Sequence, residues 1–455
     1  MEMVLEFLRD VLSQPALLIG IMSCIGLIAL KRPFHKVMTG TLKPILGYLM
    51  LAAGAGVIVN NLDPLGKMIE HGFHITGVVP NNEAIVAVAQ KVLGVETMSI
   101  LVVGLLMNLC IARFTKFKYV FLTGHHSLFM ACLMSAVLGT AGLSGMELIL
   151  VGGFLMGAWS AISPAIGQSY TSKVTDGDEI AIGHFGSLGY YLSAWVAKYV
   201  GKADDSTEDI EIPEKWGFLR DSTLSTALTM IVFYLIAAFA AGSEFVATLS
   251  GEMSPYLYAV MSAMNFAVGV TIVYSGVRMI LGDLIPAFQG IATKIIPNAI
   301  PAVDCAVFFT YAPTAVVLGF ISSFIGGIIG MLILGAVGGV LIIPGLVPHF
   351  FCGATAGIYG NATGGRRGAA VGAFLNGLAI TFLPALALPV LGQLGFQNTT
   401  FGDADFAVMG LVLGHAFEWI GMAGIYGIVA IAALVLIIPN FIKTKGKVIN
   451  YVEEE

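Results

Sequence analysis

The stretch 122–134, LTGHHSLFMACLM, places two adjacent histidines in a run that is otherwise apolar enough for a membrane helix. An ionisable side chain at membrane depth costs roughly 2.5 to 3.5 kcal/mol on insertion scales. We therefore expect His125 and His126 to face a wet cavity instead of lipid. The stretches 181–193, AIGHFGSLGYYLS, and 301–313, PAVDCAVFFTYAP, have the same character, and we predict that all three line one site.

The composition is that of a membrane protein. Hydrophobic residues make up 57% of the chain and charged residues 11%, against about 25% charged residues in soluble domains. The mean hydropathy is +0.90, so the chain cannot present enough polar surface to be water-soluble. The 56 glycines indicate close helix packing or broken helices. The sequence thus predicts an all-α polytopic membrane protein.

Charge and cysteine patterns exclude several classes of partner and chemistry. The net charge is −6, and the basic residues stand singly or in short clusters, which argues against a nucleic-acid partner. The five cysteines are widely separated in apolar surroundings, so they form no CxxC metal or redox motif. The sequence contains no GxxxxGK[ST], GxSxG or HExxH pattern. We expect no metal, no cofactor and no catalytic residue.

Eleven apolar runs come close to the roughly 17 to 25 residues that a membrane span requires. Basic clusters follow the first, third and last runs, and the positive-inside rule therefore predicts an outside N-terminus and a cytoplasmic C-terminus. The acidic residues before the first run argue against a signal peptide, and the apolar residues at positions 4, 5, 8, 11 and 12 indicate an amphipathic helix at the membrane interface. The predicted runs are 15–30, 42–59, 97–112, 119–141, 145–163, 224–241, 256–278, 303–322, 324–343, 368–390 and 410–438.

Two segments, 164–200 and 344–367, are too polar and glycine-rich to span a membrane but too apolar to be ordinary loops. We interpret both as re-entrant hairpins, because non-helical backbone is tolerated at membrane depth only beside protein or a water-filled cavity. Their similar places in the two halves of the chain indicate an inverted internal repeat. The predicted divisions are a first half 1–200, a cytoplasmic linker 201–221, a second half 222–440 and a cytoplasmic tail 441–455.

The polar residues inside apolar runs are the candidates for ligand binding. Successive helix residues point about 100° apart, so only one of His125 and His126 need face the site. The other could pack against a neighbouring carbonyl, or the two could relay protons. His184 follows Gly183, which allows a ligand to approach the backbone closely. Asp304 is the single carboxylate of its run and could accept hydrogen bonds from sugar hydroxyls.

Six motifs are specific enough to compare with known families. They are LTGHH at 122–126, VTDGDEIAIGH at 174–184, AVDCAVFFTYAPTAVVLGF at 302–320, IIPGLVPHFF at 342–351, TGTLKPILGYLMLAAGAG at 39–56 and GVVPNNEAIVAVAQK at 77–91. Together they resemble the ascorbate-specific IIC permease component of the bacterial phosphoenolpyruvate-dependent phosphotransferase system. The resemblance implies an inner-membrane homodimer of eleven-span protomers. Each protomer would have a core domain that carries the substrate and a scaffold domain that forms the dimer contact.

The resemblance also implies a function. The core would carry L-ascorbate across the membrane by an elevator movement, and a separate IIB protein, itself charged by IIA, would phosphorylate the sugar. The phosphoryl chemistry would then lie on IIB and IIA, which leaves open whether this chain counts as an enzyme. An ion-coupled secondary carrier for the same substrates is the alternative, and a membrane enzyme comes third.

The family's substrate contacts can be assigned to this sequence by motif. The family pattern has glutamine at positions 129 and 185, where this chain has phenylalanine. Two amide partners for the substrate are therefore replaced by aromatic rings, and we expect the substrate to be L-ascorbate or a related acid sugar. The implied substrate-binding residues are Asn82, Glu83, His125, His126, Phe129, His184, Phe185 and Asp304.

Overall fold

The computed structural model describes residues 11, 14–74, 77–78, 80, 82–177, 179–210, 222–392 and 400–441. The predicted N-terminal amphipathic helix, the second part of the linker and nearly all of the tail lie outside these residues. The helices are α1 (Pro15–Ala29), α2 (Phe34–Gly72), α3 (Asn82–Phe114), α4 (Gly124–Thr140), α5 (Gly145–Ile166), α6 (Gln168–Thr175), α7 (Ser187–Val200), α8 (Ser222–Ala241), α9 (Ser243–Ser250), α10 (Pro255–Lys294), α11 (Pro313–Ala336), α12 (Leu346–Gly392), α13 (Ala404–Ile420) and α14 (Met422–Ile437). The strands are β1 (Tyr119–Phe121), β2 (Ala181–Ile182) and β3 (Ile300–Val303), and short 3-10 helices cover Thr207–Asp209, Cys305–Thr310 and Ile438–Phe441.

The prediction of an all-α polytopic membrane protein is confirmed. Seven helices among the described residues are long and apolar enough to cross a membrane, or eight if α8 and α9, which meet at 117°, form one broken span. The count of eleven stays a prediction. Helix α1 has 15 residues, which is below the roughly 17 to 25 residues expected of a span, and helices α4 and α13 have 17 each, at the lower limit.

The predicted runs 119–141, 303–322 and 324–343 have wrong boundaries. The first run begins as strand β1, and β3 ends inside the second run. Helix α11 then covers parts of both later runs as one continuous helix. A buried parallel strand is apolar on both faces, so composition alone does not distinguish it from a helix. The proline at the start of α11 favours a helix that begins at that position.

The three strands form a small parallel sheet in the order β1-β3-β2. Two side-chain amides satisfy backbone groups at its outer edges. Asn108 on α3 donates to the Tyr119 carbonyl at 3.1 Å and accepts from the Phe121 amide at 3.0 Å. Near the opposite edge, Gln168 on α6 donates to the carbonyl of Ile180, just before β2, at 3.0 Å. Open sheet edges are not tolerated against lipid, so these amides allow a sheet to exist inside a membrane protein.

The helices pack into two bundles, each drawn from both halves of the chain. Helices α1, α2, α8, α9 and α10 form the first bundle. The sheet and the remaining helices form the second bundle. Glycines allow backbones to touch inside each bundle. A Cβ at Gly47 would lie 2.8 Å from the Gly276 carbonyl oxygen between α2 and α10, and one at Gly319 would lie 2.5 Å from the Gly353 carbonyl oxygen between α11 and α12.

The predicted re-entrant segments both lie in the second bundle. Segment 164–200 contains α6, β2 and α7. Segment 344–367 contains the first part of α12, which breaks at Gly365, where φ is 61°. A Cβ at Gly364 would lie 2.2 Å from the Ala197 carbonyl oxygen, so α12 and α7 pack backbone to backbone. The inverted repeat and the predicted domain boundaries stay predictions.

The first part of the predicted linker is attached to the second bundle. The Glu208 carboxylate accepts hydrogen bonds from the Thr314 and Ala315 amides at the start of α11, at 3.0 and 3.1 Å. Asp205 forms an ion pair with Arg366 on α12, with 2.6 Å between oxygen and nitrogen. Residues 201–210 are therefore anchored to the second bundle.

Candidate functional site

The sheet brings the predicted site residues together. The carboxyl ends of parallel strands meet at one edge of a sheet, and a histidine or an aspartate follows each strand at that edge. His125 and His126 follow β1, His184 follows β2, and Asp304 directly follows β3. Together with Asp403, described below, these side chains form the polar cluster. Its members are His125, His126, His184, Asp304 and Asp403.

His125 is paired with the carboxylate that follows β3. Its Nε2 lies 3.3 Å from Oδ2 of Asp304, and its Nδ1 lies 3.1 Å from the hydroxyl of Tyr48 on α2. Oδ1 of Asp304 accepts the amide hydrogen of Ala306 at 3.1 Å and so caps the following 3-10 helix. The His125 side chain is 38% exposed, which makes it the accessible histidine of the pair at 125 and 126.

His126 and His184 are buried side by side, with 3.8 Å between ring centroids and the rings tilted by 47°. Nδ1 of His126 accepts the amide hydrogen of Phe185 at 3.3 Å. Nδ1 of His184 lies 2.8 Å from the hydroxyl of Tyr190 and 3.1 Å from the amide of Gly186. With Nδ1 as the acceptor, a neutral histidine carries its proton on Nε2 and can donate from that atom. His126 packs against a backbone amide and not, as expected, against a carbonyl.

Asp403 belongs to the polar cluster, although sequence reasoning did not select it. Its Oδ1 lies 3.8 Å from Nδ1 of His184 and accepts from the Cys352 thiol at 2.9 Å. Its Oδ2 accepts from the side-chain amide of Asn82 at 2.6 Å. Asn82, a predicted site residue, therefore reaches the cluster through Asp403. The side chain of Glu83, the other residue predicted in that loop, lies outside the described part of the structure.

Asp405 holds the loop of His184 in place. Its buried carboxylate accepts from the Leu188 amide at 2.9 Å and the Ser187 hydroxyl at 2.8 Å, both at the first turn of α7. The indole of Trp159 donates to it at 3.3 Å. A carboxylate at a helix N-terminus satisfies unpaired backbone donors and is stabilised by the helix dipole. Asp405 therefore acts on the polar cluster through the position of α7.

The two phenylalanines at the family's glutamine positions differ in their surroundings. Phe185 is fully buried and stacks on Phe121, with 4.6 Å between ring centroids. Phe129 lies edge-on to His125 at 5.8 Å and is 8% exposed. The ring of Phe129 therefore borders the accessible histidine, whereas the ring of Phe185 belongs to the packed interior.

Two sets of side chains have ligand atoms close enough to be considered for a metal ion. They are His126, His184 and Asp403, and His184, Asp304 and Cys305, each with atoms within 4.8 Å of one another. Several of these atoms already accept hydrogen bonds from protein groups. His126 accepts from the Phe185 amide, Asp403 from the Cys352 thiol and Asp304 from the Ala306 amide. Hydrogen bonds within the protein therefore account for this arrangement.

The comparison with known families decides what kind of membrane protein carries this site. The family model described as the PTS system sugar-specific permease component matches residues 10–405. The chain belongs to this permease family. The resemblance found in the motifs is thereby confirmed, and as a permease component of the phosphotransferase system the chain is a multi-pass protein of the bacterial inner membrane.

A curated relative is similar over most of the chain. The ascorbate-specific PTS system EIIC component of Mycoplasma pneumoniae is 28% identical over 417 residues. The aligned region covers 78% of this chain and 62% of the relative, so this permease matches a little under two thirds of that protein's length.

Proposed function

We propose that this permease carries L-ascorbate, or a related acid sugar, across the membrane and presents it to a IIB protein for phosphorylation. One observation carries the proposal. His125, His184 and Asp304 meet at the carboxyl edge of a sheet inside a chain of membrane helices. Ionisable groups at such a depth usually mark a substrate pathway. The Mycoplasma pneumoniae relative is described as ascorbate-specific, which supports ascorbate as the substrate.

The chemistry of the polar cluster suits an acid sugar. A carboxylate such as Asp304 accepts hydrogen bonds from two neighbouring hydroxyls, and a neutral imidazole donates from Nε2 to an enediolate oxygen. Phe129 beside His125 offers an apolar edge to the sugar ring. The predicted contacts at Asn82, Glu83, His126 and Phe185 remain part of the proposal. Asn82 would act through Asp403, and His126 and Phe185 would act by holding His184 in place.

The phosphoryl transfer belongs to other proteins in this proposal. IIA would charge IIB, and IIB would take the sugar from the cytoplasmic face of the permease. We further propose a homodimer, which the resemblance to the ascorbate permeases implies. We also propose an outside N-terminus and a cytoplasmic C-terminus, on the basis of the basic clusters that follow the first, third and last apolar runs.

The proposed movement is a displacement of the second bundle, as the core, past the first bundle, as the scaffold. Two features support it. Backbone-to-backbone glycine contacts hold the helices of each bundle together. Beside the polar cluster, a small void lies between the bundles. Its lining residues are Ile19, Tyr48 and Ile280 from the first bundle and Leu122, Thr123, Val303, Asp304 and Val307 from the second.

Reconstituted vesicles test this function. Purified permease in vesicles that contain IIB, IIA and phosphoenolpyruvate is expected to accumulate ascorbate phosphate. Omission of IIB should abolish the accumulation. An ion-coupled carrier is the second candidate, and the His125–Asp304 and His184–Asp403 pairs favour it because such pairs can exchange protons. Accumulation of free ascorbate under a proton gradient alone would establish the carrier and refute the phosphotransferase role.

A further inference from the structure

Tyr48 joins the polar cluster from the other side of the bundle boundary. It lies on α2 in the first bundle, whereas all five members of the cluster lie in the second. The tyrosine is 7% exposed, and its hydroxyl is 3.1 Å from Nδ1 of His125. Tyr48 also lines the small void between the bundles. The accessible histidine of the site is thus hydrogen-bonded to the opposite bundle.

The two contacts of His125 define its protonation pattern in the neutral form. A carboxylate only accepts, so Nε2 of His125 carries the proton that faces Oδ2 of Asp304 at 3.3 Å. Nδ1 is then the acceptor, and the Tyr48 hydroxyl donates to it. Tyr48, His125 and Asp304 therefore lie in a row, with a hydrogen bond from Tyr48 to His125 and a polar contact of 3.3 Å from His125 to Asp304.

These contacts occupy both oxygens of Asp304. Oδ1 accepts from the Ala306 amide, and Oδ2 lies 3.3 Å from Nε2 of His125. A sugar diol that binds both oxygens must therefore displace His125 from Oδ2. Tyr48 opposes this displacement, because the imidazole ring of His125 cannot turn away from Asp304 without losing its hydrogen bond to Tyr48.

We propose that Tyr48 is a positioning residue of the sugar site, which acts through His125 and makes sugar affinity depend on the relative position of the two bundles. The inference rests on the proposed function. A slide of one helical turn, about 5.4 Å, would carry His125 out of hydrogen-bond reach of Tyr48. Sugar binding to Asp304 and the Tyr48 contact then exclude each other. By linkage, bound sugar loosens the bundle contact as much as the contact weakens sugar binding.

Tyr48→Phe tests the inference, with Tyr234→Phe as the matched control. Tyr234 also donates a buried hydroxyl, to the Asn61 carbonyl, but this bond lies inside the first bundle. The first measurement is ascorbate affinity by calorimetry. Tyr48→Phe should bind ascorbate about five to ten times more tightly, the equivalent of about one hydrogen bond. Tyr234→Phe should bind like the wild type.

The second measurement requires no sugar. Ile280 and Val307 line the void from opposite bundles, so the double variant Ile280→Cys/Val307→Cys reports their contact through oxidative disulfide formation. The two less buried native cysteines, Cys24 and Cys110, are first replaced by alanine. Tyr48→Phe should lower the disulfide yield severalfold, whereas Tyr234→Phe should leave it unchanged.

Either of two results would overturn the proposal. The first is an unchanged disulfide yield together with an unchanged affinity in Tyr48→Phe. The second is a tighter affinity that persists when His125 is also replaced by alanine. A permease that binds no ascorbate, but whose disulfide yield still falls in Tyr48→Phe, would refute the proposed substrate and support the Tyr48 contact. The two failures are therefore distinguishable.

Discussion

Nε2 of His125 lies 3.3 Å from Oδ2 of Asp304, although the two residues come from opposite halves of the chain. Strands β1 and β3, which precede them, pair in parallel, with Phe121 opposite Ala302. The backbone register of the sheet therefore sets the distance between the two side chains. Neither half of the chain contains the site alone, and sugar binding should depend on both.

Asp304→Asn is expected to weaken ascorbate binding by about 1 to 3 kcal/mol. The amide keeps the size of the side chain but loses the charge and one acceptor for vicinal hydroxyls. Calorimetry on purified protein measures the change. Asp63→Asn is the control, because Asp63 is an exposed carboxylate on α2 that pairs with Lys67. Equal affinities for wild type and Asp304→Asn would remove Asp304 from the sugar site.

Asp405→Asn is expected to lower thermal stability, by about 1 to 3 kcal/mol of unfolding free energy. The buried carboxylate accepts three hydrogen bonds, and the amide nitrogen of asparagine would face a donor in place of an acceptor. Thermal unfolding in detergent gives the change. Glu418→Gln is the control, because Glu418 is a mostly exposed carboxylate on the same helix. This variant should unfold like the wild type. A wild-type melting temperature for Asp405→Asn would mean that Asp405 does not hold the start of α7.

Gly357→Ala and Gly56→Ala form a matched pair that tests the packing inside the second bundle. A Cβ at Gly357 would lie 2.6 Å from both the Ala315 carbonyl oxygen and the Gly319 Cα, so α11 and α12 would have to separate. The expected cost is about 1 to 3 kcal/mol. A Cβ at Gly56 meets nothing within 4 Å, so this change should be neutral or stabilise by up to about 1 kcal/mol. Equal melting temperatures for the two variants would contradict the close α11–α12 contact.

The sequence predicted the class of fold better than its details. Long apolar runs are sufficient to identify membrane helices, because the bilayer sets their length and composition. Strands β1 and β3 were missed because buried strands are as apolar as helices over three or four residues. The sequence also did not reveal that each bundle contains helices from both halves of the chain, since periodicity does not say which helices are neighbours.

The candidate site was predicted in part. His125, His184 and Asp304 stand out as polar residues in apolar runs, and the structure brings them together. Asp403 lies in a polar interruption between two apolar runs, where a carboxylate resembles an ordinary loop residue. Tyr48 gives no signal at all, because tyrosine is common in membrane helices. Only the fold reveals that Tyr48 contacts His125 and that Asp403 contacts His184.

The central claim is that the second bundle carries the site past the first bundle as one body. Pairs of spin labels on exposed residues test it: Tyr199 and Leu332 within the second bundle, and Tyr199 with Phe239 of the first bundle. Distances are measured with and without ascorbate and phosphorylated IIB, after Cys24 and Cys110 are replaced by alanine. We predict a constant 199–332 distance and a change in the 199–239 distance of at least one helical turn, about 5.4 Å. A 199–332 distance that changes while the 199–239 distance stays constant would contradict the claim and indicate local gating.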